Sequence, residues 1–295
     1  MHRVIVTGCN GLLGSALGRA LQGSWEVLGL DSNPGAFSPF QEIDIRNRKE
    51  LRETIKGFQP HFLVNAAALT NVDGCERDKE KAWGVNVKGV ENIASLCSKL
   101  GCKVIHISTD YIFDGKAGPY SEGDPPSPCN FYGETKWEGE KVLERFPLDY
   151  AIVRTSALYG LCKRGKRKFF DLLLDRLSRG EGVYGFVDQF TTPTYVEDLV
   201  EGIKRVVDKE GIFHISGGEF LSRFGFARKV AVAFGYDPSL IKPEESTRAG
   251  LIAPRPLKGG LKIDKAQKVL AYSPHSVVEA LEIIKTEREK DAAKE

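Results

Sequence analysis

Tyr132 and Lys136 stand four residues apart in Tyr132-Gly-Glu-Thr-Lys136, and Ser108-Thr109-Asp110 precedes them. On a helix that spacing puts both side chains on one face. A phenol with its ordinary pKa of about 10 is a poor acid or base at neutral pH. A neighbouring ammonium stabilises the phenolate and lowers that value. Tyr132 is thereby a candidate general acid/base for carbonyl chemistry. A plain solvated helix face carries the same spacing, so the surrounding elements have to decide.

Those elements alternate through the first half. Arg3–Thr7, Glu26–Asp31, Glu42–Ile45, Phe62–Ala66, Lys103–Ser108 and Tyr150–Thr155 read as strands. Between them Leu12–Leu21, Lys49–Gly57, Glu80–Leu100 and Phe131–Arg145 read as helices. Repeated βα units predict a parallel sheet with helices on both faces. The expected class is α/β, a Rossmann-type doubly wound sheet with a smaller C-terminal substrate-binding lobe. The Rossmann domain is expected at 1–155, completed by parts of 190–215, and the lobe and C-terminal helices at 156–295. There, Phe169–Ser178, Val196–Val207, a Ser222-capped segment to Phe234, Asp264–Leu270 and Ser276–Lys285 read as helices, and Ile212–Ile215 as a strand. The charged tail from Glu287 reads as a frayed helix end. The loops at Asn33–Pro39 and Gly115–Pro128 are rich in Pro and Gly, and the second adjoins the candidate chemistry.

Composition narrows the classes. The 295 residues exceed one minimal core, and 41% hydrophobic with 28% charged residues suits a soluble globular chain. A net charge of +2 gives no electrostatic case for nucleic acid or membrane. No apolar run is long enough to span a bilayer. The chain opens directly on a strand without a signal-peptide layout, so a cytoplasmic location is expected. Six cysteines form no Cys-x-x-Cys pair and no histidine has zinc-finger spacing, so no metal is expected and buried thiols are. A disulfide stays open for a hyperthermophilic source.

The turn Thr7-Gly8-Cys9-Asn10-Gly11-Leu12-Leu13-Gly14 links the first strand to the first helix. Gly8 permits a tight turn, Gly11 close approach of a pyrophosphate, and Gly14 close helix packing. The helix start offers free N–H groups, including those of Leu12 and Leu13, to phosphate. Asp31, ending the second strand, is placed to accept from ribose hydroxyls and to repel a 2′-phosphate. No Arg or Lys follows in Ser32-Asn33-Pro34, which favours NAD(H) over NADP(H). Asp44 would hold an adenine amino group with Ile45 against the ring. Asn65-Ala66-Ala67-Ala68 leaves room for a cofactor at the strand ends. Thr109 offers a hydroxyl to a substrate carbonyl or to Tyr132. Asn86, unfavourable mid-helix, either bridges through water toward Lys136 or makes a structural polar contact.

Together these motifs resemble the extended short-chain dehydrogenase/reductase superfamily. Within it, Val64-Asn-Ala-Ala-Ala68, Ile107-Ser-Thr-Asp-Tyr-Ile-Phe113, Asn130-Phe-Tyr-Gly-Glu-Thr-Lys136, Val153-Arg-Thr-Ser156, Asp188-Gln189, Pro193-Thr194 and Arg255-Pro256 are similar to the dTDP-4-dehydrorhamnose reductases. The resemblance implies hydride transfer from NAD(P)H to the C4 ketone of a nucleotide-linked 4-keto sugar. It implies that Tyr132 donates the proton, Lys136 holds the nicotinamide ribose, Thr109 binds the keto oxygen and Asp110 contacts substrate. One position departs: where that family carries a sugar-facing Trp, this chain has Ala157. Asp110–Gly115 with Leu158-Tyr-Gly160 also resembles the regulatory β subunit of methionine adenosyltransferase. A basic run, Lys163-Arg164-Gly165-Lys166-Arg167-Lys168, is either a solvated loop or an attractor for a substrate diphosphate. The open readings are a sugar-nucleotide reductase, an epimerase or dehydratase on the same scaffold, and a non-catalytic cofactor-binding regulator. A homodimer is expected by analogy with the superfamily.

Overall fold

The computed structural model describes residues 1–161 and 169–292. Seven strands form one parallel sheet: β1 (Arg3–Thr7), β2 (Glu26–Asp31), β3 (Phe40–Glu42), β4 (Phe62–Asn65), β5 (Lys103–Thr109), β6 (Tyr150–Thr155) and β11 (Gly211–His214). Their order is β11-β6-β5-β4-β1-β2-β3, so the topology reverses direction between β1 and β4. Ligands of open α/β sheets bind at the carboxyl ends of the strands beside such a reversal.

The strands feed two cores by alternation. Val4, Val6, Val64, Ile105 and Val153 pack on one face with α1 (Leu12–Leu21) and α8 (Val196–Val206). Ile5, Leu63, Val104 and Ile152 pack on the other with α2 (Arg48–Phe58), α5 (Gly89–Leu100) and α6 (Phe131–Glu144). Both faces are apolar because both are covered, the pattern of a buried parallel sheet.

Two short helices, α3 (Val72–Arg77) and α4 (Lys79–Trp83), precede α5. The helix expected over Glu80–Leu100 is interrupted by a π-turn, Gly84–Lys88, which the 3.6-residue pattern does not reveal. The strand expected at Glu42–Ile45 sits earlier, at Phe40–Glu42, because Asp44 and Arg46 form a turn of their own. Beyond β6 the lobe carries α7 (Phe169–Ser178), α9 (Arg223–Ala233), α10 (Asp264–Leu270) and α11 (Val277–Ala292). The last helix runs well past the expected Lys285. Three two-stranded pairs complete it: β7 (Leu158–Tyr159) with β10 (Thr194–Tyr195), β8 (Val183–Phe186) with β13 (Ile241–Glu244), and β9 (Phe190–Thr191) with β12 (Leu221–Ser222). Ser222 caps α9 as expected, accepting from the Gly225 N–H at 3.0 Å.

Among the described residues no helix is long and apolar enough to cross a membrane. Five cysteines are free thiols, four of them buried. Cys162 and the basic run at 163–168 lie outside the described residues.

Candidate active site

The glycine turn is shaped by what passes beside it. Gly8 has φ +67, and a Cβ there would lie 2.8 Å from the Ala66 carbonyl carbon. Only glycine holds the chain that way against β4's exit. A Cβ on Gly14 would lie 2.3 Å from the Gly8 carbonyl oxygen, so α1 docks directly on the turn. Gly11 supplies no side-chain cap, leaving the first-turn N–H groups of Leu12, Leu13 and Gly14 for an anion. Asp31 borders this cradle. Its carboxylate accepts the Asn10 N–H at 3.1 Å and the Asn33 N–H at 3.0 Å. The Asn10 side chain in turn donates to the Asn33 carbonyl at 2.8 Å. Ala66, Ala67 and Ala68 follow β4, half-buried, with the Ala67 N–H on the Thr7 hydroxyl. These are residues that fit a dinucleotide: a cradle that a Cβ would fill, free N–H groups, and small side chains on the far wall.

Tyr132 occupies the first turn of α6, and several contacts fix that turn. Asn130 caps it, accepting the Gly133 N–H at 2.9 Å. Glu76 of α3 accepts the Phe131 N–H at 2.7 Å. A Cβ on Gly133 would lie 2.0 Å from the Tyr111 carbonyl oxygen, so the residue directly after the tyrosine must be glycine. The Tyr132 phenol is buried, close to the Thr109 hydroxyl at the end of β5, and edge-on to Tyr111 at 5.6 Å. Burial pushes its pKa well above the ordinary phenol value, with the nearby Thr109 hydroxyl opposing. Lys136 is buried one turn later. Its Nζ donates to the Ile107 carbonyl at 2.7 Å and lies 3.3 Å from His106 Nε2. Burial lowers its pKa to about 8, opposed by Glu140. The ammonium therefore turns toward β5, and the expected lowering of the Tyr132 pKa is absent from this arrangement.

One open expectation resolves and two are corrected. Asn86 is 1% exposed, and its side chain is consumed. It accepts the Leu69 N–H at 2.8 Å and donates to the Leu69 carbonyl and the Thr135 hydroxyl. Its side chain thus makes the structural polar contact, one of the two expected roles, as a clamp in the π-turn. Asp110 is also 1% exposed. It accepts the Ser156 hydroxyl at 2.6 Å and the Gly260 N–H at 3.1 Å, so its carboxylate is an internal anchor rather than a substrate contact. Ile45 packs its side chain under Gly89 in the core and does not offer it to an adenine. Asp44 keeps its carboxylate at the rim, held low in pKa by hydrogen bonds from Arg46.

Residues 1–288 match the family described as RmlD substrate binding domain. The chain belongs to that family. It is 32% identical to the dTDP-4-dehydrorhamnose reductase of Aggregatibacter actinomycetemcomitans, over 97% of this chain and 99% of the relative. It is also 32% identical to methionine adenosyltransferase 2 subunit beta of Danio rerio, over 90% of this chain and 84% of that one. Among solved structures, a dTDP-4-dehydrorhamnose reductase from Bacillus anthracis in complex with NADP superposes with a TM-score of 0.88 at 29% identity, covering 97% and 99% of the two chains.

Family membership makes the unexpected polar residues around Tyr132 worth naming. Arg223, the first residue of α9, lies close to the Tyr111 phenol, and its backbone N–H donates to the Gln189 carbonyl at 2.9 Å. Gln189 Nε2 and Arg223 Nε are buried donors with no acceptor among the described residues. Arg255 pairs with Asp73 of α3 at 2.9 Å, tying the lobe to the site's floor. Sequence pattern alone missed Arg223 because a helix-starting arginine looks like surface. Ala157 is exposed and sits at φ +43, a left-handed conformation strained for a residue with a Cβ.

Proposed function

We propose that this chain is a dTDP-4-dehydrorhamnose reductase, reducing the C4 ketone of a deoxynucleotide-linked 4-keto sugar. It is an NAD(P)-dependent oxidoreductase of the extended short-chain type, in keeping with its family and its relatives. The observation that carries the reading is the meeting of Tyr132, at the first turn of α6, with Thr109, at the end of β5, beside the glycine cradle.

The dihydronicotinamide, when bound, supplies the hydride. Tyr132 gives its phenolic proton to the carbonyl oxygen as the C=O bond becomes C–O–H. Burial keeps the phenol protonated before reaction but makes it a weak acid, so donation depends on stabilisation of the phenolate as it forms. The Thr109 hydroxyl donates to the same oxygen and stabilises charge developing there. Lys136, one turn away, offsets the phenolate left behind and offers an N–H to the nicotinamide ribose. Gln189 and Arg223 supply donors for the acceptor-rich sugar nucleotide.

NAD(H) is the cofactor we favour, since the Asp31 carboxylate borders the ribose end of the cradle and would repel a 2′-phosphate. The sheet strands with α8 and β11 make the cofactor domain, and the remainder from 156 makes the substrate lobe. We extend the reading to a homodimer, which sedimentation tests. The deciding experiment is oxidation of NADH and NADPH against a panel of 4-keto nucleotide sugars. Turnover of a dTDP-linked ketone is expected. Tight cofactor binding without turnover of any member would move the assignment to a regulatory subunit like the methionine adenosyltransferase relatives.

A further inference from the structure

His106 lies in the middle of β5, fully buried, where a strand covered on both faces calls for an apolar side chain. Its ring is held from two sides. Nε2 faces Lys136 Nζ at 3.3 Å, and Nδ1 faces the Asn65 amide at 3.0 Å. The other arm of that amide meets the Thr7 hydroxyl at 2.7 Å. Three strands and one helix thus contribute to a single buried line: Thr7 of β1, Asn65 of β4, His106 of β5 and Lys136 of α6.

The chemistry of the partners fixes the proton positions. An ammonium has donors only, so a charged Lys136 requires a lone pair on Nε2. The neutral ring then carries its proton on Nδ1 and needs an acceptor there. The structure sets the Asn65 Nδ2 against Nδ1 and its Oδ1 on the Thr7 hydroxyl; the Nδ1–H tautomer requires a half-turn of that amide, which puts its oxygen on Nδ1 and its NH₂ on the Thr7 oxygen. The ring stays neutral because burial and Lys136 hold its pKa well below the usual imidazole value. The other groups facing Lys136 are Tyr132 one turn before it and Glu140 one turn after. Glu140 is already committed to Arg154 at 2.6 Å.

We propose that His106 is a positioning residue for Lys136, accepting one ammonium N–H on Nε2 in its Nδ1–H tautomer. Asn65 and Thr7 seat the ring and select the tautomer. With the Ile107 carbonyl as the second acceptor, two of the three ammonium donors are fixed, and the third is aimed by geometry. The proposal rests on the reading of Lys136 as an active-site group only for its catalytic consequence.

The test reads the lysine itself, in the cofactor-free protein, by titrating the Lys136 side-chain nitrogen with NMR. His106→Leu removes an acceptor from a charged donor and should lower the titration midpoint by about one pH unit. His106→Gln, which restores an acceptor at that reach, should return it to within about 0.3 unit. Asn65→Leu, which unseats the ring, should lower it by about half a unit and decides the matter if His106→Leu does not fold. A merely structural role would lower thermal stability in these variants and leave the midpoint in place. A midpoint unmoved in the folded variants overturns the proposal. Absence of sugar turnover would leave this result standing, so the two failures are distinguishable.

Discussion

The Asp110 carboxylate accepts the Gly260 backbone N–H at 3.1 Å across 150 residues of chain. Asp110 directly follows the Thr109 that meets Tyr132, so the end of β5 and the C-terminal lobe are fastened together at the candidate catalytic hydroxyl. The same carboxylate takes the Ser156 hydroxyl at the end of β6. Removing it by Asp110→Ala leaves three buried donors, Ser156, Gly260 and the Thr109 hydroxyl, without this acceptor, which should cost about 3 kcal/mol of stability or more. Asp110→Asn should cost less, since one acceptor is kept. Urea unfolding of both variants checks the order; equal stability to the parent would show the clamp contributes nothing.

Tyr132→Phe removes only the phenolic oxygen. Turnover should fall by roughly 10²–10⁴-fold while cofactor affinity is kept, because the cradle is made elsewhere. Steady-state rates beside cofactor titrations separate these. Retained turnover would reject the proton-donor role.

The pH dependence follows from Lys136, whose pKa is lowered to about 8 by burial. Above that pH the ammonium loses its proton, so kcat/KM should decline along an alkaline limb near pH 8. Stability should move in the other direction. The unfolded chain titrates this lysine near pH ~10.4, so between the two values the unfolded state binds more protons and folding is favoured by rising pH. A pH–rate profile flat to pH 10, roughly the free-lysine region, would contradict the depressed value.

Asp31→Ala should raise the ratio of NADPH to NADH use by about tenfold or less, through loss of charge repulsion alone. It should also weaken both cofactors, since the carboxylate holds the Asn10 and Asn33 N–H groups that shape the turn. Initial rates with each cofactor give the ratio. An unaltered ratio would leave Asp31 with only the turn-shaping part.

At Ala157 the backbone adopts φ +43. Ala157→Gly relieves a left-handed penalty of about 1–2 kcal/mol, less the backbone entropy glycine loses on folding, about 0.5–1 kcal/mol. A gain of up to about 1 kcal/mol in unfolding free energy is the expected net. Any loss of stability would show that the alanine methyl makes a contact worth more than the strain.

Much of the sheet was legible because a strand covered on both faces is a short apolar run, and five such runs, in β1, β2, β4, β5 and β6, alternate with helical patterns here. The glycine turn and the Tyr132/Lys136 spacing were legible for a similar reason, since each is a local rule about backbone or helix geometry. Asn86 was left between two readings because its partners lie at Leu69 and Thr135, on elements whose approach no periodicity encodes. Asp110 was misread as facing a ligand because its true partner, Gly260, belongs to the irregular second half. His106 was overlooked for the opposite reason: it sits inside a correctly read strand. A histidine within an apolar run, with no local partner to satisfy either nitrogen, is the signal that would have found it.

β11 pairs with β6 in register, Ile212 beside Ile152, although the chain visits part of the lobe between them. In order of synthesis the other six strands are all available before the strand that closes this side. Until residues near 214 arrive, β6 presents an open row of N–H and C=O groups, the kind of surface on which nascent chains stick to one another. Nor is the gap short, since His214 returns to Arg154 after 60 residues. Translation pausing or truncation just past β6 would therefore yield a sticky half-protein, and a cofactor domain cut after residue 155 would need this late strand supplied to stay monodisperse.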